Sequence, residues 1–309
     1  AAINCAARAI RAGDGEVYIA GGVESMSRAP YAFSKNTGGG NLIAYDTALG
    51  WRFVNPRMEA LYGTDPMGVT AENIAEMTGI TRLEQDEFAL TSHQRAVAAQ
   101  DSGKFGEEIL PVTVPQRKGD PVVVSQDERP RRDTSLEALS RLKPAFKPNG
   151  TVTAGNSSGL NDGAAAMLVM SAEKAHALGL KPMARFISSG VSGIEPRIMG
   201  LGPIEATRRA LARAVLQIGD ISLAEINEAF AVQTLAVMRE LGLQHAITNV
   251  NGGAVALGHP LGCSGTRILT TLLYEMRRRA PQEKRPFYGL ATLCVGVGQG
   301  EATIVEWLD

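Results

Sequence analysis

Residues 286–307 read PFYGLATLCVGVGQGEATIVEW. Two β-rich runs, Pro286–Cys294 and Ala302–Trp307, flank a turn that carries Gly296, Gly298 and Gly300, while the helical spacing of Thr266–Arg279 lies just ahead. This pattern puts the thiol of Cys294 at a strand end, over glycines whose backbone N–H groups can turn inward as an oxyanion hole does. A free cysteine is ordinarily an inert small hydrophobe. The glycine turn and a histidine within reach set this one apart. A second helix–turn–strand unit, Ala6–Gly22, echoes Leu272–Gly296, each with basic residues near the helix end and a strand running into glycine. Such units recur in every α/β protein, so the echo alone does not establish a duplication.

The rest of the chain extends the same alternation. Ala1–Ile10 is a small-residue helix closed at Gly13, and Glu16–Ala20 is a strand ending at Gly21-Gly22. Between Tyr31 and about Ser158 the pattern turns irregular, rich in glycine and proline, with helices over Ala71–Met77 and Arg82–Gln100. Regular structure returns with a buried strand at Gly163–Met170, a helix capped by Ser171 and a strand at Ala184–Gly190. Helices over Pro203–Leu216 and Ala231–Leu241 follow. The alternation predicts an α/β protein with mainly parallel sheets covered by helices.

Composition narrows the function. Over 309 residues, 31 Lys and Arg against 32 Asp and Glu leave a net charge of −1 and no basic run, which argues against nucleic acid and anionic membrane as partners. With 44% hydrophobic and 20% charged residues and no apolar run longer than Gly163–Met170, neither disorder nor a membrane-spanning helix is expected. Three scattered cysteines, Cys5, Cys263 and Cys294, fit neither a disulfide framework nor a zinc site, so no metal is expected and a reducing compartment is the default.

Two further clusters carry chemistry. In Gly258-His259-Pro260-Leu261-Gly262-Cys263-Ser264-Gly265, glycine and proline fix a histidine on a tight turn at a helix start, where an imidazole can exchange protons near neutrality. Asn227-Glu228 precedes a helix and taken alone reads as a cap or turn. His93, His176 and His245 read as ordinary surface residues.

Together these clusters resemble the thiolase family along the whole chain. The resemblance rests on AGGVESMS (20–27), TAEN (70–73), TVTAGNSSGLNDGAA (151–165), NEAFA (227–231), GHPLGCSG (258–265) and CVGVGQG (294–300). Tyr45-Asp46-Thr47 and GWRFVNP (50–56) further resemble the degradative branch that includes 3-oxoadipyl-CoA thiolases. It implies a duplicated five-layered α/β/α/β/α architecture with an inserted loop domain and an incomplete first half. In domain terms, residues 1–30 and 159–182 belong to the N-terminal thiolase domain, 31–158 to a CoA-binding loop domain and 183–309 to the C-terminal domain.

The implied activity is cleavage of a 3-oxoacyl-CoA by CoA, or the reverse Claisen condensation, through an acyl-cysteine. His259 would activate the nucleophile and, with a water held by Asn227, polarise the thioester oxygen. Cys294 would be acid and base at the α-carbon, and the Gly296 N–H part of a second oxyanion hole. Met67, Phe146, Ala154, Ser158, Ala229 and Phe230 match pantetheine-contacting positions, and Arg131 stands where a basic residue meets the nucleotide. Coenzyme A enters as substrate and no cofactor is implied; a homodimer or homotetramer in the cytoplasm is. Pro66 departs from the histidine common in biosynthetic relatives, and Cys263 from the more usual alanine. The family's nucleophile, in a Cys-x-Ser-Gly motif, falls about five residues ahead of Ala1, or roughly 7 to 8 Å along the helix axis. On this reading Cys5 is a packing residue, Ala1 lies near the reaction centre, and residues 1–309 alone are inert with an exposed sheet edge. Two alternatives are a non-catalytic thiolase-like acyl-CoA or lipid-binding protein and a decarboxylating ketoacyl synthase, the latter disfavoured by the cysteine at position 294.

Overall fold

The computed structural model describes residues 1–35, 38–283 and 285–308. In chain order it forms α1 (Ala2–Ala12), β1 (Val17–Ser25), β2 (Tyr31–Ala32), β3 (Tyr45–Asp46), α2 (Pro56–Tyr62), α3 (Met67–Thr78), α4 (Arg82–Asp101), β4 (Val112–Val114), β5 (Val122–Val124) and α5 (Leu136–Ser140). The later part adds β6 (Asp162–Met170), α6 (Ala172–Ala177), β7 (Ala184–Gly193), α7 (Gly202–Ala214), β8 (Ile221–Ile226), α8 (Ala231–Leu241), α9 (Ala254–Leu257), α10 (Leu261–Arg279), β9 (Tyr288–Val295) and β10 (Gln299–Trp307). Local chemistry sets many of these boundaries. Gly13 closes α1 in the left-handed region at φ 82°. Thr81 and Glu84 form a reciprocal capping box on α4, and the Ser171 side chain accepts from the Lys174 N–H at the start of α6.

β1 and β6 pair antiparallel from Val17↔Met170 to Ser25↔Asp162, so the chain leaves this pair at residue 26 and rejoins it beside its point of departure. The second sheet has the order β7-β10-β9-β8. Only β8 and β9 are parallel in it; β10 is antiparallel to both β7 and β9. The mainly parallel arrangement expected from the alternation is therefore corrected. β9 and β10 are joined by the short turn at Gly296–Gly298, with Val297 and Gly298 at φ 66° and 81°, and so short a link can only form a hairpin. β8 reaches β9 through α8, α9 and α10, which is length enough for a parallel crossover.

The helices α1 and α10 lie between the two sheets. Ile3 and Ala6 of α1 and Ile268, Leu272 and Met276 of α10 share one core with Ala20 of β1 and Ala291 of β9. On the far face of the larger sheet, α7, α8 and α3 pack over Leu290 and Cys294 of β9 and Ala302 and Ile304 of β10. The result is sheet, helix layer, sheet, helix layer, while the other face of β1–β6 presents Ile19, Val23 and Leu168 exposed. The echo between Ala6–Gly22 and Leu272–Gly296 is structural: each helix leads into a strand that pairs antiparallel with the next strand of its own sheet. Residues 26–161 occupy in the first unit the place that the Gly296–Gly298 turn holds in the second.

Candidate active site

Strand alternation decides which way Cys294 faces. Along β9, Leu290 and Cys294 point to the α3/α8 side and Ala291 to α10. Cys294 is buried among apolar neighbours, and that burial pushes its thiol up to about 12. It is therefore a neutral S–H at physiological pH. Beyond it, a Cβ on Gly296 would stand 3.9 Å from the Met67 sulfur, so Met67, at the start of α3, faces the turn.

His259 sits between α9 and α10. Gly258 adopts φ 98° with the Asn161 side chain where a Cβ would go, and the His259 N–H donates to the Gly159 carbonyl at 3.3 Å. Its Nδ1 lies 2.6 Å from Ser264 Oγ, and that hydroxyl donates its single proton to the Pro260 carbonyl at 2.9 Å. Ser264 must therefore accept from Nδ1–H, which leaves the lone pair on Nε2. Asn227 Nδ2 approaches Nε2 at 3.3 Å, as a donor to that lone pair. Burial first, and the Arg267 charge second, lower the ring to about 4, so it is neutral and able to accept a proton.

Asn227 links histidine to strand. It is fully buried, its N–H donates to Thr292 O on β9 at 3.0 Å, and its Oδ1 has no partner among the described residues. Glu228 beside it accepts from Ser92 Oγ at 2.7 Å, Asn249 Nδ2 at 2.8 Å and the Val255 N–H at 3.0 Å, which ties α4 and α9 together one turn before His259. The cap-or-turn reading of this pair is corrected, since α8 is preceded by Phe230 and has no side-chain cap. Both side chains are buried in a tertiary polar network that no local pattern announces.

The pantetheine candidates converge only in part. Phe146 lies against Gly68 and meets Phe230 edge-on at 6.1 Å, and Met67, Ala229 and Phe230 pack in the cluster that holds Cys294. The Ser158 N–H donates to Ala229 O at 3.0 Å. Ala154 is exposed. Arg131 is exposed too, and its backbone N–H donates to His93 Nδ1.

Two of the remaining histidines depart from the surface reading. His93 is 5% exposed, and His245 is half-buried and stacked on Phe88 with ring centroids 5.1 Å apart. Each is held near 4, by burial first. His176 is exposed, as expected. Cys5 is exposed, whereas Cys263 is buried near Gly163. A cavity of about 230 Å³ is bounded by Ala1, Asn4, Leu261, Gly262, Val295 and Glu301. It lies between the start of α1, the first turn of α10 just after His259, and the end of β9 just after Cys294. Ser264, Ser92 and Asn249 were not singled out as site residues from sequence. Ser264 stood within the quoted glycine-histidine stretch, but its partner emerges only once α10 begins at Leu261.

Residues 1–173 match the thiolase N-terminal domain, and residues 180–307 the thiolase C-terminal domain. The chain is 53% identical over 309 residues to the beta-ketoadipyl-CoA thiolase of Acinetobacter baylyi, covering 99% of this chain and 76% of that protein. It is 52% identical over 308 residues to the acetyl-CoA acetyltransferase of Chromobacterium violaceum, with the same coverage. The crystal structure of the Bacillus anthracis acetyl-CoA acetyltransferase superposes with a TM-score of 0.91 at 45% identity, over 99% of this chain and 76% of that one. Human mitochondrial 3-ketoacyl-CoA thiolase gives 0.91 at 41%, over 100% and 76%.

Proposed function

The chain belongs to the thiolase family of acyl-CoA C-acyltransferases, and on that footing we propose that it cleaves a 3-oxoacyl-CoA with CoA, or runs the reverse condensation, with 3-oxoadipyl-CoA the favoured class of substrate. The observation that carries the reading is the hydrogen-bonded set Ser264–His259–Asn227 beside β9, which carries Cys294 next to its last residue.

In this scheme His259 Nε2 takes the proton of a nucleophilic thiol, which we assign to the helix that α1 continues. The thiolate adds to the ketone carbon, the Cα–Cβ bond breaks, and its electron pair passes to the α-carbon of the leaving acetyl-CoA. The Cys294 thiol protonates that carbon and recovers its proton when the second CoA thiol attacks the acyl-cysteine. A neutral thiol suits the step because it gives up a proton without bringing a standing charge into an apolar site. A water held by Asn227, which donates one proton to the buried Oδ1 that has no partner among the described residues and offers its other proton to the substrate, is assigned together with the Gly296 N–H to the oxygens that gain charge. Met67, Phe146, Ala154, Ser158, Ala229 and Phe230 are assigned to the pantetheine arm and Arg131 to the nucleotide. CoA is a substrate, and no resident cofactor is invoked. No helix among the described residues is long and apolar enough to cross a membrane. We place the protein in the cytoplasm, as a homodimer or homotetramer.

The test uses the full-length gene product. With Cys294→Ala, labelled acetyl-CoA is expected still to form acyl-enzyme while thiolysis falls by about two to four orders of magnitude. His259→Ala is expected to impair both half-reactions. Normal turnover of the Cys294 variant would sink the acid/base assignment.

A further inference from the structure

The loop at residues 127–133 is fastened to α4 at three places. Gln100 Nε2 donates to Asp127 O at 2.8 Å, and the Arg132 guanidinium holds both oxygens of Asp101 at 2.8 and 2.6 Å. Between them, the backbone N–H of Arg131 donates to Nδ1 of the buried His93 at 3.1 Å. An Nδ1 that accepts requires a neutral ring with its proton on Nε2. Burial and the Arg131 and Arg129 charges, opposed by Asp133, keep the ring in that form down to about pH 4.

The three arginines of this loop differ in how far they are committed. Arg132 is paired with Asp101, and Arg129 is half-buried with its guanidinium packed on Gly159. Arg131 is exposed, and its guanidinium has no hydrogen bond or ion pair among the described residues. Its amide is thus pinned inward while its side chain is left unpaired. We propose that His93 is a positioning residue for nucleotide recognition: by accepting the Arg131 amide, it holds that guanidinium turned out of the loop to meet the phosphates of coenzyme A. The proposal rests on the assignment of Arg131 to the nucleotide end. A loop fixed only at 127 and 132 would leave the Arg131 backbone free, and ordering it at each binding event would weaken the phosphate contact.

The experiment measures thiolysis by the full-length gene product with either CoA or pantetheine, which lacks the nucleotide phosphates, as the accepting thiol. His93→Ala is expected to raise KM for CoA about tenfold with kcat within about twofold, and to leave kcat/KM for pantetheine unchanged. His93→Gln, whose amide oxygen can accept the same N–H, is expected to recover most of the loss. Arg131→Ala is expected to reproduce the His93→Ala pattern, and the double variant to be no worse than Arg131→Ala alone. Equal losses on both thiols would show a merely structural role and overturn the proposal. An unchanged KM for CoA in His93→Ala, with a raised one in Arg131→Ala, overturns it while the Arg131 assignment stands. If Arg131→Ala leaves KM for CoA unchanged, that assignment fails and the proposal falls with it.

Discussion

At the scale of single residues, the two buried cysteines and the exposed one make opposite demands on a reagent. Cys294 and Cys263 both have their thiols raised by burial, whereas Cys5 stands exposed on α1. Among these three, iodoacetamide near pH 7.5 is expected to label Cys5 first and the other two slowly in the folded protein, as peptide mass spectrometry would show; early labelling of Cys294 would contradict its thiol form. Ser264 makes a sharper demand. Because its hydroxyl fixes the proton of His259 on Nδ1, Ser264→Ala is expected to cost about one to two orders of magnitude in kcat while leaving KM for CoA nearly unchanged. A steady-state comparison checks this, and a rise in KM alone would refute it. His259 and Cys294 were legible in the sequence because glycines flank them. The hydrogen bonds of Ser264 and His93 were not, since each depends on a partner that only a helix start or a packed loop brings near.

Among the elements, β1 meets the first turn of α10 backbone to backbone at Gly22 and Gly262. A Cβ on Gly22 would stand 1.8 Å from the Gly262 carbonyl oxygen, and Glu24 on the same strand accepts the Gly262 N–H at 3.1 Å. Gly22→Ala is expected to destabilise by about 1–3 kcal/mol or more, because backbone rather than a pliable side chain must move, and to lower activity by shifting the His259 turn. Thr81→Ala, which opens the capping box of α4, is expected to cost only about 1 kcal/mol and to spare kcat. Urea titration with a parallel assay separates the two; equal effects on activity would undo the argument. Helix boundaries were largely readable, α8 to the residue, since cap chemistry and periodicity are local. β8 escaped because all six of its residues are buried, Ser222 and Glu225 included, so no polar alternation marks it.

For the whole molecule, buried ionisable groups set how stability follows pH. Burial pushes Glu225 up to about 8, opposed by Arg267 and reinforced by Glu228, Glu108 and Glu275, and pushes Glu108 up to about 7. Between about 4.5 and 8 the folded state keeps protons that the unfolded chain has lost, so these groups lower stability as pH rises. His93, His245 and His259, lowered from 6.5 to about 4, act in the opposite sense, and stability through them rises with pH between 4 and 6.5. Above 6.5 only the carboxylates of this set still act. The urea midpoint is therefore expected to fall from about pH 6.5 to 8, and Glu225→Gln to flatten that slope. A midpoint that climbs across this range would refute the assignment.

The sequence by itself determined the α/β class, the places of most helices and the two glycine-bearing clusters around His259 and Cys294, because capping, turn chemistry and hydrophobic spacing act over a few residues. Its motifs also sufficed for the family. Strand direction was decided only in three dimensions: a turn of a few residues after Cys294 forces a hairpin, while the pairing of β1 with β6 closes across more than a hundred intervening residues. The buried polar network was decided there too. An Asn, a Glu or a His looks the same in sequence whether it caps a helix, faces water or, like Asn227, Glu228 and His93, lies buried against a partner from a distant segment, because the energy that selects among these states comes from the partner and not from the residue.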